Sequence, residues 1–141
     1  LLCIAGIAQA LSLAMPFMGM DGAPLGWLQC VSFAIYAGVL DRCGDKRQAF
    51  TTGWLFAFAW LVGCTWWLFV SMHTYGGLPA PMAAIGVALL GGGHALIYAV
   101  AAAAFHALTK SGLGVFSRAS AFAALWALAE IVRGSLFTGF H

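Results

Sequence analysis

Glu130 and Arg133 are the residues of this chain whose types and spacing most clearly suggest chemistry. They lie three positions apart inside an apolar run, so a helix would place both side chains on one face. Charges in the hydrocarbon region of a membrane are costly and therefore pair or face a polar cavity. Two interpretations stay open. The residues form a structural ion pair, or they form a polar wall for a lipid headgroup, whose phosphate the forked arginine donors fit.

A short polar segment between two apolar runs is the second candidate site. A helical hairpin needs no more than a polar turn at such a place, so a specific set of side chains there suggests a surface that recognises something. A lone histidine in this setting is more often an interfacial hydrogen-bond donor than a base or a ligand. The segment consists of His73, Thr74, Tyr75, Gly76 and Gly77.

The composition of the chain predicts which kind of secondary structure positions these residues. The chain has 141 residues, of which 63% are hydrophobic and 7% are charged, whereas about 25% of an ordinary soluble domain is charged. This predicts an all-α polytopic integral membrane protein, because helices satisfy their own backbone hydrogen bonds in lipid. We predict about five transmembrane helices within a single N-terminal transmembrane domain, 1–141, at about 1–20, 25–40, 53–72, 80–108 and 119–136.

Two side-chain patterns within these runs predict how the helices pack. Alanines and glycines recur every four residues in the fourth run, at 84, 88 and 92 and again at 95, 99, 103 and 107, which favours close approach of another helix. Tryptophans at both ends of the third run are typical of an interfacial aromatic belt. These are Trp54, Trp60, Trp66 and Trp67.

The distribution of basic residues predicts the orientation. Two loops, 41–50 and 109–118, carry five of the six Lys and Arg residues, and the turns at 21–24 and 73–79 carry none. Positive loops face the cytoplasm. We therefore expect a cytoplasmic N-terminus, with the His73 turn and the C-terminal end at His141 on the opposite, periplasmic side.

Several other chemistries find no support in the sequence. There is no Ser/His/Asp set, no phosphate-binding glycine loop and no H-E-x-x-H motif. The four cysteines have neither C-x-x-C spacing nor a close histidine, so we predict no metal site and no cofactor. A net charge of +2 without a basic patch predicts no nucleic-acid partner.

Two longer motifs contain both candidate sites and resemble a known family. The first is W-W-L-F-V-S-M-H-T-Y-G-G-L-P at 66–79, and the second is L-W-A-L-A-E-I-V-R-G-S-L-F-T-G-F at 125–140. Both resemble segments of the bacterial apolipoprotein N-acyltransferases, in the same order. A shorter likeness is L-A-M-P-F at 13–17. Phe69, Ser135 and His141 depart from the common family residues at their positions.

The resemblance implies a function and a location. Such an enzyme transfers an acyl chain from a phospholipid donor to the N-terminal diacylglyceryl-cysteine of a lipoprotein acceptor, in the bacterial inner membrane. It implies catalysis by a Glu, a Lys and a Cys of a nitrilase-like carbon–nitrogen hydrolase domain that this chain does not reach. No catalytic residue is therefore assigned here, and neither Glu130 nor Cys64 takes such a role. We expect the full polypeptide to be longer and this fragment to be inactive alone.

Two alternatives from other classes stay open. A transporter or channel subunit would also place an intramembrane Glu/Arg pair beside a solute path, but the sequence shows no discontinuous helix and no inverted repeat. The other alternative is a membrane scaffold without chemistry. If the protein is the enzyme, Glu130, Arg133 and the segment from His73 to Gly77 would line a path for lipid substrates or make structural polar contacts.

Overall fold

The computed structural model describes residues 1–13, 24–110 and 112–136, and every regular element among them is a helix. A π-helical turn, Ser71–Tyr75, follows α4 and leads towards α5. The all-α prediction is confirmed. The six α-helices of the described part are α1 Leu2–Ser12, α2 Gly26–Leu40, α3 Lys46–Cys64, α4 Trp66–Val70, α5 Ala80–Thr109 and α6 Val115–Leu136.

Local chemistry sets where α3 and α5 begin. Asp45 caps α3 by accepting a hydrogen bond from the Gln48 amide at 2.7 Å, and the Gln48 side chain accepts one from the Gly44 amide at 2.7 Å. This reciprocal pair satisfies amide donors that a helix start leaves without partners. At α5, Pro79 is the N-cap residue and Pro81 lies in the first turn, where a proline costs no helical hydrogen bond.

The helices form a layered bundle around the pair α3 and α5. α1 packs against α3, α2 against α1, and α6 against α5. The pairs α1–α2, α3–α5 and α5–α6 run antiparallel, as contacts along each pair show. For example, Ser32 of α2 donates a hydrogen bond to the Ala5 carbonyl of α1 at 2.6 Å, and the Leu25 amide binds the Ser12 carbonyl at 2.8 Å.

Glycines allow the backbones of α3 and its neighbours to come close. A Cβ atom placed on Gly53 would lie 2.6 Å from Cβ of Ala102 and 2.9 Å from the Tyr98 carbonyl oxygen of α5. Likewise, a Cβ atom on Gly6 of α1 would lie 2.5 Å from the Phe56 carbonyl oxygen of α3. Small residues at helix contacts are how membrane helices gain van der Waals packing without a hydrophobic driving force.

The expectation of about five spans is not confirmed. Among the described residues, α5 and α6 are long and apolar enough to cross a membrane, and a third span is obtained if α3 and the segment from Trp66 to Tyr75 count as one bent crossing. α1 and α2 have 11 and 15 residues. At 1.5 Å per residue both are shorter than a hydrocarbon core of about 30 Å. The predicted first span also covers residues 14–20, which lie outside the described part.

The third run is broken, contrary to the sequence expectation of a continuous helix at 53–72. α3 starts earlier, at Lys46, and the chain bends by 52° between Cys64 and Trp66. Thr65 lies at the bend, and its hydroxyl donates a hydrogen bond to the Leu61 carbonyl at 2.8 Å. Threonine hydroxyls that bond back by four residues in this way are often found where helices bend.

The predicted packing stripes of the fourth run and the tryptophan belt are both partly wrong. Ala84 and Ala107 are exposed, and the buried face of α5 runs through Ala83, Val87, Gly91, Ala95, Tyr98, Ala102 and Phe105. Trp60 is buried, and Trp54 donates a hydrogen bond to the Gly92 carbonyl of α5 at 3.2 Å. Of the four tryptophans predicted for an interfacial belt, Trp66 and Trp67 are exposed and remain suited to it.

Candidate functional site

A closed ring of three hydrogen bonds joins α5 to α6. The Tyr98 hydroxyl donates to Oε1 of Glu130 at 2.5 Å and accepts a hydrogen bond from Nε of Arg133 at 2.9 Å. Arg133 Nη2 donates to the other carboxylate oxygen, Oε2 of Glu130, at 2.6 Å. Each member therefore contacts the other two, and Glu130 pairs with Arg133, a point that the sequence left open.

The ring is partly shielded from the surroundings of the bundle. Tyr98 is 1% exposed, and the side chains of Glu130 and Arg133 are 32% and 15% exposed. In a low-dielectric environment an ion pair with additional hydrogen bonds is far less costly than either charge alone. The arrangement holds a carboxylate and a guanidinium in a fixed orientation with no net charge.

Trp126, one turn before Glu130 on α6, packs this ring onto the rest of the bundle. Its ring centroid lies 4.7 Å from that of Phe33 on α2, 4.9 Å from that of Tyr98 on α5 and 5.5 Å from that of Trp60 on α3. Aromatic pairs at these separations stabilise beyond the area that they bury. Trp126 thus connects α6 to three other helices.

A groove beside Glu130 opens between α6 and the helices α1, α2 and α3. Its volume is about 560 Å³. Most of its lining is aromatic or aliphatic, and its polar lining residues are Gln9, Gln29 and Glu130. We call it the α6 groove; it is lined by Gln9, Gln29, Phe33, Trp60, Phe122, Ala123, Trp126, Ala127 and Glu130.

The second predicted site is a helix end followed by a tight turn. His73, Thr74 and Tyr75 belong to the π-helical turn, so the turn proper begins at Gly76, not at His73 as the sequence suggested. Nδ1 of His73 donates to the Leu78 carbonyl at 2.8 Å and thereby closes the segment on itself. The segment is exposed throughout, with Tyr75 at 85%.

The backbone requires glycine at both positions 76 and 77, for different structural reasons. Gly77 has φ of +68°, in the left-handed region that residues with a Cβ atom rarely adopt. A Cβ atom on Gly76 would lie 2.8 Å from the Met72 carbonyl oxygen. Both glycines therefore allow the chain to turn sharply from the π-helical turn into α5.

The two predicted sites are separate. The π-helical turn packs against α4 and α5, and the Glu130–Arg133 pair lies on α6, so α5 is the element that both contact. Sequence reasoning missed Tyr98, the third member of the ring. The sequence feature that could have identified Tyr98 is its position in residues 95–104, a stretch of α5 made largely of alanine. Residues 137–141, which complete the second motif, lie outside the described part.

Cysteine, histidine and acidic side chains are scattered. Among residues 1–13, 24–110 and 112–136, no three of them lie close enough to hold a metal ion. Cys64 lies near the end of α3 as a free thiol.

The all-α fold, in which two or three helices of the described part are long and apolar enough to cross a membrane, defines the class as a polytopic helical membrane protein. The sequence model of the family described as the apolipoprotein N-acyltransferase N-terminal domain matches residues 6–141. The chain belongs to this family.

Three relatives named apolipoprotein N-acyltransferase illustrate the similarity. The protein from Verminephrobacter eiseniae is 47% identical in an alignment that covers 97% of this chain and 25% of that protein. Those from Ralstonia nicotianae and Bordetella bronchiseptica are 38% and 37% identical over 81% and 99% of this chain, and over 22% and 27% of their own lengths. The chain thus spans about a quarter of the length of these curated relatives.

Proposed function

We propose that this chain is the membrane part of an apolipoprotein N-acyltransferase. The complete enzyme would transfer an acyl chain from a phospholipid donor to the N-terminal diacylglyceryl-cysteine of a lipoprotein acceptor. The observation that carries the proposal is the family match over residues 6–141, together with relatives of that name at up to 47% identity. No catalytic residue is proposed in this chain, because the Glu, Lys and Cys implied by the resemblance belong to a hydrolase domain beyond it.

The Tyr98–Glu130–Arg133 ring has a positioning role in this proposal. α6 is the last described helix, and the remainder of such an enzyme would lie beyond it in the polypeptide. The ring and Trp126 fix the rotation and height of α6 on α5. A fixed α6 would hold the remainder of the enzyme at a defined place on the membrane. Glu130 also lines the α6 groove. The proposal therefore includes a second role for Glu130, beside a path for lipid substrates.

The orientation is proposed on the arrangement of charge. Asp41 after α2 and Arg118 in the first turns of α6 form an ion pair, which brings the two basic loops to the same end of the bundle. By the positive-inside rule that end would face the cytoplasm of a bacterial inner membrane. The segment from His73 to Gly77 would then lie at the periplasmic surface, where its exposed Tyr75 and neighbouring Trp66 and Trp67 suit the interface.

The transporter alternative gains one structural feature, which is the helix break at Thr65. Discontinuous helices do occur at transporter sites. The family assignment does not support this alternative, and the described residues at the break, Cys64 to Trp66, carry no ionisable side chain other than a thiol.

The test is acyl transfer by the full-length polypeptide compared with residues 1–141. Both are purified in detergent, mixed with phospholipid and a diacylglyceryl lipopeptide, and followed by the mass increase of one acyl chain. The proposal predicts N-acylation by the full-length polypeptide and none by residues 1–141. A well-folded full-length protein that leaves the lipopeptide unmodified would reject it.

A further inference from the structure

A second groove opens at the end of the bundle where the two basic loops meet. It lies between α2, α5 and α6, and its volume is about 350 Å³. Arg118 of this groove lies twelve residues before Glu130 on α6, which is about 18 Å along the helix axis. We call it the basic-end groove; it is lined by Ala37, Asp41, Phe105, Val115, Arg118, Ala119 and Phe122.

The polar part of the basic-end groove is an ion pair. Nη2 of Arg118 donates a hydrogen bond to Oδ1 of Asp41, and the two side chains are 34% and 49% exposed. Among the described residues no other acceptor binds this guanidinium. Asp41 therefore holds Arg118 in place while further N–H groups of the guanidinium stay available. The planar fork of arginine donors matches the oxygens of a phosphate group.

The rest of the lining is apolar. The rings of Phe105 and Phe122 meet edge to face, with their centroids 5.8 Å apart. Phe122 lies one turn after Arg118 on α6, and Ala37 lies one turn before Asp41 on the antiparallel α2, so both are displaced from the ion pair in the same direction. The groove therefore changes from charged to apolar within one helical turn, as a phospholipid does between its phosphate and its acyl chains.

The surroundings of the basic-end groove are positively charged. The loops 41–50 and 109–118 carry five Lys or Arg residues and two Asp residues, a net charge of +3. Arg42 directly follows Asp41 of the groove, and Lys110 lies in the connection between α5 and α6. Basic pockets between membrane helices bind anionic lipid headgroups. This charge favours a headgroup that is negative overall over a zwitterionic one.

We propose that the basic-end groove binds one anionic phospholipid of the phosphatidylglycerol type. Its phosphate lies against Arg118, and the first part of an acyl chain lies along Ala37, Phe105 and Phe122. The bound lipid connects α2 to α6 and stabilises this end of the bundle as a structural ligand. The site depends neither on the proposed acyl transfer nor on the proposed orientation, because its occupancy is measured in detergent.

The experiment uses the full-length polypeptide with a photo-cross-linking phenylalanine analogue at position 115, which lines the groove and is 87% exposed. The matched control carries the analogue at position 116, which is 86% exposed and is not among the groove-lining residues. Each protein is reconstituted with phosphatidylglycerol or with phosphatidylcholine of the same acyl chains. It is then extracted into detergent at about 0.3 M salt, which screens distant charges, and irradiated. Mass spectrometry measures the fraction that carries a lipid adduct.

At position 115 we expect several times more adduct with phosphatidylglycerol than with phosphatidylcholine, and at position 116 no difference. Arg118→Gln should lower the phosphatidylglycerol adduct at position 115 about tenfold, because it removes a charged hydrogen-bond donor of the phosphate. Arg47→Gln removes the same charge from a residue of the basic loops that does not line the groove. It should leave the adduct unchanged.

Ala119→Phe provides a second variant if Arg118→Gln fails to fold. It fills the groove at an exposed position and keeps the ion pair, and it should also lower the phosphatidylglycerol adduct at position 115. Equal adducts with both lipids at position 115 would overturn the proposal. So would equal effects of Arg118→Gln and Arg47→Gln, since the lipid would then respond to the charge of the loops and not to the groove.

Discussion

The Tyr98 hydroxyl of α5 lies 2.5 Å from Oε1 of Glu130 on α6, and this contact turns an ion pair within one helix into a connection between two helices. Glu130 and Arg133 alone would neutralise each other without joining α6 to anything. Tyr98 contacts both partners and thereby links the ion pair of α6 to α5.

Tyr98→Phe tests that contact, because it removes one hydroxyl and keeps the ring and its packing on Trp126. Two hydrogen bonds are lost, and we expect the free energy of unfolding to fall by about 1 kcal/mol, in line with side-chain hydrogen bonds between membrane helices. The measurement is unfolding in an SDS titration. Tyr75→Phe is the matched control, since Tyr75 is 85% exposed and should show no change. Equal effects of the two substitutions would contradict the assignment.

Glu130→Ala and Arg133→Ala test whether the two charges act as a unit. Each single variant leaves an uncompensated charge near Tyr98, whereas the double variant leaves none. We expect the double variant to be less destabilised than the two single variants taken together, with a coupling of about 1–3 kcal/mol. A double-mutant cycle of unfolding free energies measures it. Strictly additive losses of unfolding free energy would contradict an energetic coupling between Glu130 and Arg133.

Gly53→Ala tests the close approach of α3 and α5. The new methyl group would lie 2.6 Å from Cβ of Ala102, so the helices must separate, and we expect a loss of about 1–3 kcal/mol, as for an overpacked core. Gly38→Ala in α2 is the control, because a Cβ atom there meets nothing within 4 Å. Gly38→Ala should be neutral or slightly stabilising, since alanine favours the helix. Thermal unfolding of both variants in one detergent gives the comparison.

Gly77→Ala tests the turn that leads into α5. Because Gly77 has φ of +68°, we expect alanine to cost about 1–2 kcal/mol and asparagine, which tolerates this conformation better, to cost less. Gly93→Ala, at an exposed position inside α5, has neither a positive φ nor a close neighbour and serves as the control. The unfolding midpoints of the three variants are compared with that of the unchanged protein. A Gly77→Ala variant as stable as the unchanged protein would rule out a strained position at residue 77.

The sequence placed Glu130 and Arg133 on one face of a helix because they are three residues apart, a local relationship, and it left their pairing open. It did not predict Tyr98, which lies 32 residues before Glu130 and reaches it only through the packing of α5 on α6. The helices α2, α5 and α6 coincide with long apolar runs of the sequence. The break at Thr65 was not predicted because apolar residues continue on both sides of it in the sequence.

The most direct test of the central claim is a chimeric enzyme. Residues 1–141 of this chain replace the matching quarter of the Verminephrobacter eiseniae relative, which is 47% identical over that region. The assay measures the mass increase of one acyl chain on a diacylglyceryl lipopeptide. If this chain is the membrane part of an N-acyltransferase, the chimera should acylate the lipopeptide, and the same chimera with Tyr98→Phe should be less stable. A folded, membrane-inserted chimera without transfer, beside an active parent enzyme, would contradict the account.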